Sequence, residues 1–116
     1  MINILYLPIF AKKIKQYTKK NPFMKKDYQN LLDTLKSNPT NATSIKENVY
    51  KIRLQNSSSN KGKSSGYRVY YFYKDKNDTI ILLYMYSKNE QTNLNDEVLN
   101  ELISECKITF KDELNS

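Results

Sequence analysis

The 116-residue sequence contains no histidine, no tryptophan, one cysteine, two glycines and three prolines. Each shortage removes a class of function. Without histidine there is no Ser-His-Asp triad and no imidazole acid–base pair. Cys106 stands alone, so neither an intramolecular disulfide nor a multi-cysteine metal site can form, and the donors a zinc centre prefers are missing. Asp27, Asp33, Asp75 and Asp78 sit in helix or turn settings, and no acid falls at a metal-ligand spacing. No cofactor is expected. A phosphate-cradling loop needs a strand before it and a helix after it. The segment Asn60-Lys61-Gly62-Lys63-Ser64-Ser65-Gly66 leads into a strand pattern instead. No apolar run approaches the ~20 residues of a membrane span, so no membrane partner is expected. The opening "MINILYLPIFAKK" has its apolar residues before its charges, the reverse of a secretory signal. A cytoplasmic, reducing setting fits these features.

What the sequence does have is positive charge and tyrosine. The formal net charge is +7. Residues 1–45 hold eight lysines against Asp27 and Asp33, whereas residues 77–116 hold three lysines against eight acids. A basic body with an acidic tail suggests a polyanionic partner, nucleic acid first. The plain alternative is a protein kept soluble by solvated lysines, and basicity alone does not choose between the two.

The length and the apolar content suit one domain, 1–116, with one packed interior. Residues 2–7 read as an opening strand. Pro8 suits the first turn of a helix, where its missing N–H is not needed. Phe10, Ile14 and Tyr17 then recur at helical spacing as far as Lys20, and Asn21-Pro22 breaks the pattern. Tyr28, Leu31, Leu32 and Leu35 mark a second helix ending near Ser37-Asn38-Pro39. Val49–Leu54 and Tyr67–Tyr73 alternate like half-buried strands. The first puts Lys51 and Arg53 on one side, and the second puts Arg68, Tyr70 and Phe72 opposite Tyr67, Val69, Tyr71 and Tyr73. "KDKND" reads as a hairpin turn, and "TIILLYMY" as a central strand buried on both faces. Asn95 is a good N-cap for a closing helix whose apolar stripe is Leu94, Val98, Leu102, Cys106 and Phe110. Cys106 on that stripe reads as a small buried hydrophobe. The expected fold is α+β: a strand and two helices, a three-stranded antiparallel meander, and a C-terminal helix.

Lysine, arginine and tyrosine together suit one reaction, the cleavage of RNA by its own 2′-hydroxyl. The protein must bind the phosphate, stabilise the charge of the phosphorane and move two protons. Arginine supplies a planar fork that stays protonated. Lysine crowded by other cations has a lowered pKa and becomes available as a base. Tyrosine can stack on a splayed base or donate its phenolic proton. Lys51 and Arg53 on one strand, Arg68 on the next and Lys61 and Lys63 between them could converge on one surface. Against this stands a simpler reading: tyrosine is a good strand former, seven of the ten lie between Tyr50 and Tyr86, and a lysine loop is ordinarily just solvated.

Three segments in order, "VYKIRL", "GKSSGYRVYYFY" and "IILLYMYSKNE", followed by "NLNDEVLNELI", resemble the RelE/HigB family of type II toxin–antitoxin toxins. The resemblance is closest to its HigB-like branch and covers about residues 38–105 by motif. It implies a RelE-like fold and a ribosome-dependent mRNA endonuclease that inhibits translation from the ribosomal A site. It further implies a cognate antitoxin, with operator DNA bound indirectly through that antitoxin. By position, Lys51 and Arg53 match the family's basic strand pair, Lys61 and Lys63 its loop lysines, Arg68 the arginine that holds the scissile phosphate, and Lys88 the lysine of Lys-Asn-Glu. Some RelE-type toxins carry arginine where Asn89 stands and a tyrosine near Leu94, so their acid–base assignment does not transfer. Tyr86 is the candidate substitute, with packing as its alternative role, and Tyr70 joins Lys51 and Arg53 as a candidate RNA contact. Two other readings remain open: a ParE-like gyrase poison, and a non-catalytic nucleic-acid-binding module.

Overall fold

The computed structural model describes residues 1–57 and 66–115. The elements are β1 (Asn3–Tyr6), α1 (Pro8–Lys20), α2 (Met24–Ser37), β2 (Thr43–Lys46), β3 (Val49–Leu54), β4 (Tyr67–Lys74), β5 (Thr79–Ser87), α3 (Asp96–Thr109) and α4 (Lys111–Asn115). No helix among the described residues is long and apolar enough to cross a membrane.

The strands form one five-stranded sheet in the order β1-β5-β4-β3-β2. The α+β class is as expected, but the arrangement differs from an isolated meander. β1 joins the sheet parallel to β5, so the sheet is mixed. A fifth strand, β2, pairs antiparallel with β3 through a turn in which Asn48 takes a positive φ of 65°. Asparagine tolerates this left-handed conformation better than most residues. β2 reads Thr-Ser-Ile-Lys and has no fully buried residue, so no apolar alternation marks it in the sequence. β4, rather than β5, is the middle strand. The "KDKND" turn is a single 3₁₀ turn over Asp75–Asn77, closed by Asp78 at φ 48°.

Strict alternation on β3 and β4 sorts the core into two layers. On one face Phe10, Tyr17, Met24, Leu31 and Leu35 of the first two helices pack against Leu54, Tyr67, Val69, Tyr71, Ile80, Leu82 and Met85. On the other, Val49, Tyr70, Phe72, Ile81, Leu83 and Tyr86 pack against Leu99, Leu102, Cys106 and Leu114. Each such side chain contributes roughly 1.5–3 kcal/mol when fully buried. The buried stripe of α3 is Leu99, Leu102 and Cys106, while Val98, expected inside, is 41% exposed. Asn95 caps the helix as expected, its side chain accepting from the amides of Glu97 and Val98.

One irregularity in β5 decides which residues share a face. Tyr71 pairs with Leu82, yet Tyr70 pairs with Tyr84, so Leu83 is an extra residue in the ladder. A one-residue shift moves every later side chain to the opposite face. Before the bulge, Ile80 and Leu82 face α1 and α2; after it, Met85 does, and Tyr86 is turned toward α3. Unbulged, Tyr86 would have shared a face with Leu82. The bulge is what places it beside Arg68.

Candidate active site

The cationic residues of β3 and β4 stand in a defined row. Arg53 is the direct cross-strand partner of Arg68, and Lys51 is the partner of Tyr70. On the next strand Arg68 pairs with Tyr86 and Tyr67 with Ser87. Directly opposed residues have Cβ atoms about 4.5–5.5 Å apart, and like charges so placed repel. Among the described residues the ion pairs within 4.0 Å are the Met1 amino group with Asp78 at 4.0 Å and Lys46 with Asp96 at 2.7 Å, and neither involves Lys51, Arg53 or Arg68. Arg68 Nη1 donates to the carbonyl of Tyr67 at 3.2 Å, which uses one of its five N–H groups. Arg53 is exposed, whereas Arg68 and Lys51 are half-buried. Arginine and lysine are the side chains that pair with phosphate oxygens, and three of them start from one strip of sheet.

Lys88 follows immediately after β5 and is exposed. Its amide donates to the carbonyl of Gly66, the residue preceding β4, at 2.9 Å. It therefore lies at the same end of the sheet as Arg53 and Arg68. Lys61 and Lys63 lie outside the described residues, between Ser57 and Gly66.

The two tyrosines require correction as direct participants. Tyr70 is 2% exposed, its hydroxyl donates to Asn93 Oδ1 at 3.3 Å, and Lys51 Nζ sits 5.8 Å from its ring centroid. No open ring face is left for a base; Tyr70 is instead a pedestal that holds an ammonium by cation–π attraction. Tyr86 is fully buried, and its hydroxyl donates to the carbonyl of Thr92 at 3.3 Å. Burial, then the neighbouring Tyr70, pushes its phenol up to about 12, against a smaller opposing pull from Arg68. Tyr86 thus carries its proton at neutral pH but presents it inward. Alternation for Tyr70 and the bulge for Tyr86 put both rings on the arginine face, beneath α3 and the segment leading to it, so packing claims them.

Cys106 behaves as expected of a buried hydrophobe. Burial pushes its thiol up to about 12, with Lys107 a lesser opposing influence, and so removes the thiolate a nucleophile would need.

Residues that the sequence reading passed over border the same end of the sheet. The Tyr17 hydroxyl donates to Glu90 and accepts from the amide of Ser87 at 3.0 Å. Asn21 Nδ2 donates to Asn56 Oδ1 at 3.1 Å and to the Tyr67 hydroxyl at 3.2 Å. Asp27 accepts from both the amide and the hydroxyl of Ser57. The only sequence signals for them are the break at Asn21-Pro22 and a lone acid following Lys25 and Lys26, both equally natural as a helix end and a solvated face.

No curated protein matches the chain. A family match covers residues 8–115, nearly the whole chain and every strand of the cationic row, and its description is the RelE toxin of the RelE / RelB toxin–antitoxin system. The protein therefore belongs to the RelE toxin family, a toxin–antitoxin toxin whose partner is a cognate antitoxin.

Proposed function

We propose that the protein is a ribosome-dependent endoribonuclease that halts translation by cutting messenger RNA in the ribosomal A site. The observation that carries this reading is the opposed Arg53–Arg68 pair, with Lys51 beside it and none of the three in an ion pair among the described residues. A protein gains nothing in stability from such a pair. A bound phosphodiester converts the repulsion into attraction.

The substrate supplies its own nucleophile. The 2′-oxygen forms a bond to the adjacent phosphorus as the bond to the 5′-oxygen breaks. The proton of the 2′-hydroxyl goes to a base, and the departing 5′-oxygen gains one. Arg68, with Arg53, holds the non-bridging oxygens and stabilises the extra charge of the phosphorane. Lys51 and Lys88 bind flanking phosphates, and Lys61 and Lys63 complete the set of candidate proton carriers. Tyr70 and Tyr86 act by positioning Lys51 and Arg68. Antitoxin binding to this cationic surface silences the toxin by charge complementarity, and operator DNA is reached through the antitoxin.

The test is incubation of the purified protein with programmed ribosomes, followed by sequencing of the message ends. New ends within A-site codons, lost with Arg68→Ala in a protein that stays folded, are the expected result. Unbroken messages together with damaged DNA in induced cells would point to gyrase instead.

A further inference from the structure

The described core contains three buried polar side chains: Asn21, Asp27 and Thr79, at 4%, 2% and 3% exposure. Thr79 is satisfied locally by the carbonyl of Asn77. Asn21, which caps the end of α1, accepts locally from the Phe23 amide at 3.0 Å, and Asp27 stands in the first turn of α2, but both side chains also reach partners 30 or more residues away. Burying an amide or a carboxylate is costly unless it is hydrogen-bonded, and an apolar side chain of similar volume would serve packing as well or better. What these bonds add is position. Asp27 accepts from the amide and hydroxyl of Ser57, and Asn21 donates to Asn56, so together they fix the stem that leaves β3 after Leu54. One helical turn earlier, Tyr17 fixes the opposite wall. Its hydroxyl bridges the Ser87 amide and the Glu90 carboxylate, spanning the turn that carries Lys88. The turn is closed further by the amides of Glu90 and Gln91 donating to the Ser87 carbonyl. The Tyr17 ring packs 4.9 Å from that of Tyr67, whose hydroxyl accepts from Asn21, so the two arms are joined.

We propose that this elbow, Tyr17, Asn21 and Asp27, is the positioning device of the cationic site, holding the Asn56–Ser57 stem on one side of Arg68 and the Lys88 turn on the other. The inference rests on the endoribonuclease reading. None of the three residues belongs to the cationic row; they act through Lys88 and through the strand end at Arg53. Geometry errors near 1 Å at a reacting phosphate cost up to about 100-fold in rate, so a small loosening is measurable.

The decisive variants are Glu90→Ala, which cuts the tie from an exposed residue without entering the core, and Tyr17→Phe, which removes one hydroxyl and keeps the ring. Each is expected to lower the single-turnover cleavage rate about 10-fold while the half-saturating ribosome concentration stays within about twofold. Glu90→Gln, which keeps an acceptor, should restore most of the rate. In a Lys88→Ala background Tyr17→Phe should have almost no further effect, because both act on one turn. Asp27→Asn should slow cleavage whether or not Lys88 is present. Amide hydrogen exchange at Gln91 should accelerate in Glu90→Ala. Full-rate cleavage by Glu90→Ala and Tyr17→Phe, or effects that simply multiply with Lys88→Ala, would overturn the inference. Should Tyr17→Phe fail to fold, Glu90→Ala decides alone. If the wild type cuts no message, the endoribonuclease reading falls, and unchanged exchange at Gln91 would then show separately that Glu90 does not hold the turn.

Discussion

The protein has two basic regions, and they differ in kind. On α1 and α2, Lys12, Lys15, Lys19, Lys20, Lys25 and Lys26 are exposed on flexible stems around the outer face of two helices. On β3 and β4, Lys51, Arg53 and Arg68 are locked in cross-strand register on one strip of sheet. The helical group holds more charge, yet each cation there can move away from its neighbours and is screened by solvent beyond about 10 Å. The strand group holds less charge, but the backbone positions of Arg53 and Arg68 cannot separate without breaking the ladder. A helix lysine adds to a diffuse field that attracts any polyanion. On the proposed function, an opposed arginine pair favours an anion small enough to touch both forks. For this protein the placement of charge carries the functional argument, and the net charge does not.

Arg68→Ala separates the two regions most strongly. Removing a preorganised donor to a developing charge should lower cleavage by about 100-fold or more. Stability should hold or rise slightly, because a like-charge contact disappears. A cleavage loss matched by loss of the folded state would instead make Arg68 structural.

Alkali probes the tyrosine that ends the same row. The folded phenol of Tyr86 is held up at about 12 against 10.0 when unfolded. Its raised value means that its contribution is complete below pH 10 and is lost as pH climbs toward 12. Urea titrations of wild type should therefore lose stability across that window, and Tyr86→Phe should lose less. The thiol of Cys106, raised by burial, should resist alkylation at neutral pH until the protein is unfolded.

A smaller effect is expected at the cap of α3, the helix that covers Tyr70 and Tyr86. Asn95→Ala removes the acceptor for two amides and should cost about 1 kcal/mol in denaturant unfolding. Smallest of all are the helix lysines. Lys12→Gln, Lys15→Gln and Lys25→Gln should each leave cleavage within about twofold at fixed salt and slightly flatten its dependence on ionic strength. If these substitutions matched Arg68→Ala in effect, the distinction between the two regions would collapse.

Period-two patterning made β3 and β4 legible, and with them the common side of Lys51 and Arg53 on one strand and of Arg68 and Tyr70 on the next, whereas the register that aligns the two sides is written in neither strand. Pro8 and Asn95 marked helix starts for equally local reasons. The parallel pairing of β1 with β5 was not legible, since it joins residues about 75 positions apart and leaves no local trace. The Leu83 bulge was hidden inside an unbroken apolar run, where no polar residue marks the change of phase. The face of Tyr86 depends on that bulge. Alternation gives Tyr70 a side and says nothing of what covers it. Asp27 and Asn21 resembled ordinary helix-surface and helix-end residues, and only the long-range bonds to Ser57, Asn56 and Tyr67 reveal their role.

The central claim is that the opposed arginines of β3 and β4 seat and cleave a messenger phosphodiester. Its most direct test is sequencing of message ends from translating ribosomes exposed to wild type, Arg53→Ala and Arg68→Ala at equal folded concentration. Abundant A-site cuts are expected from wild type, fewer from Arg53→Ala and none above background from Arg68→Ala. Equal cutting by all three proteins would contradict the claim.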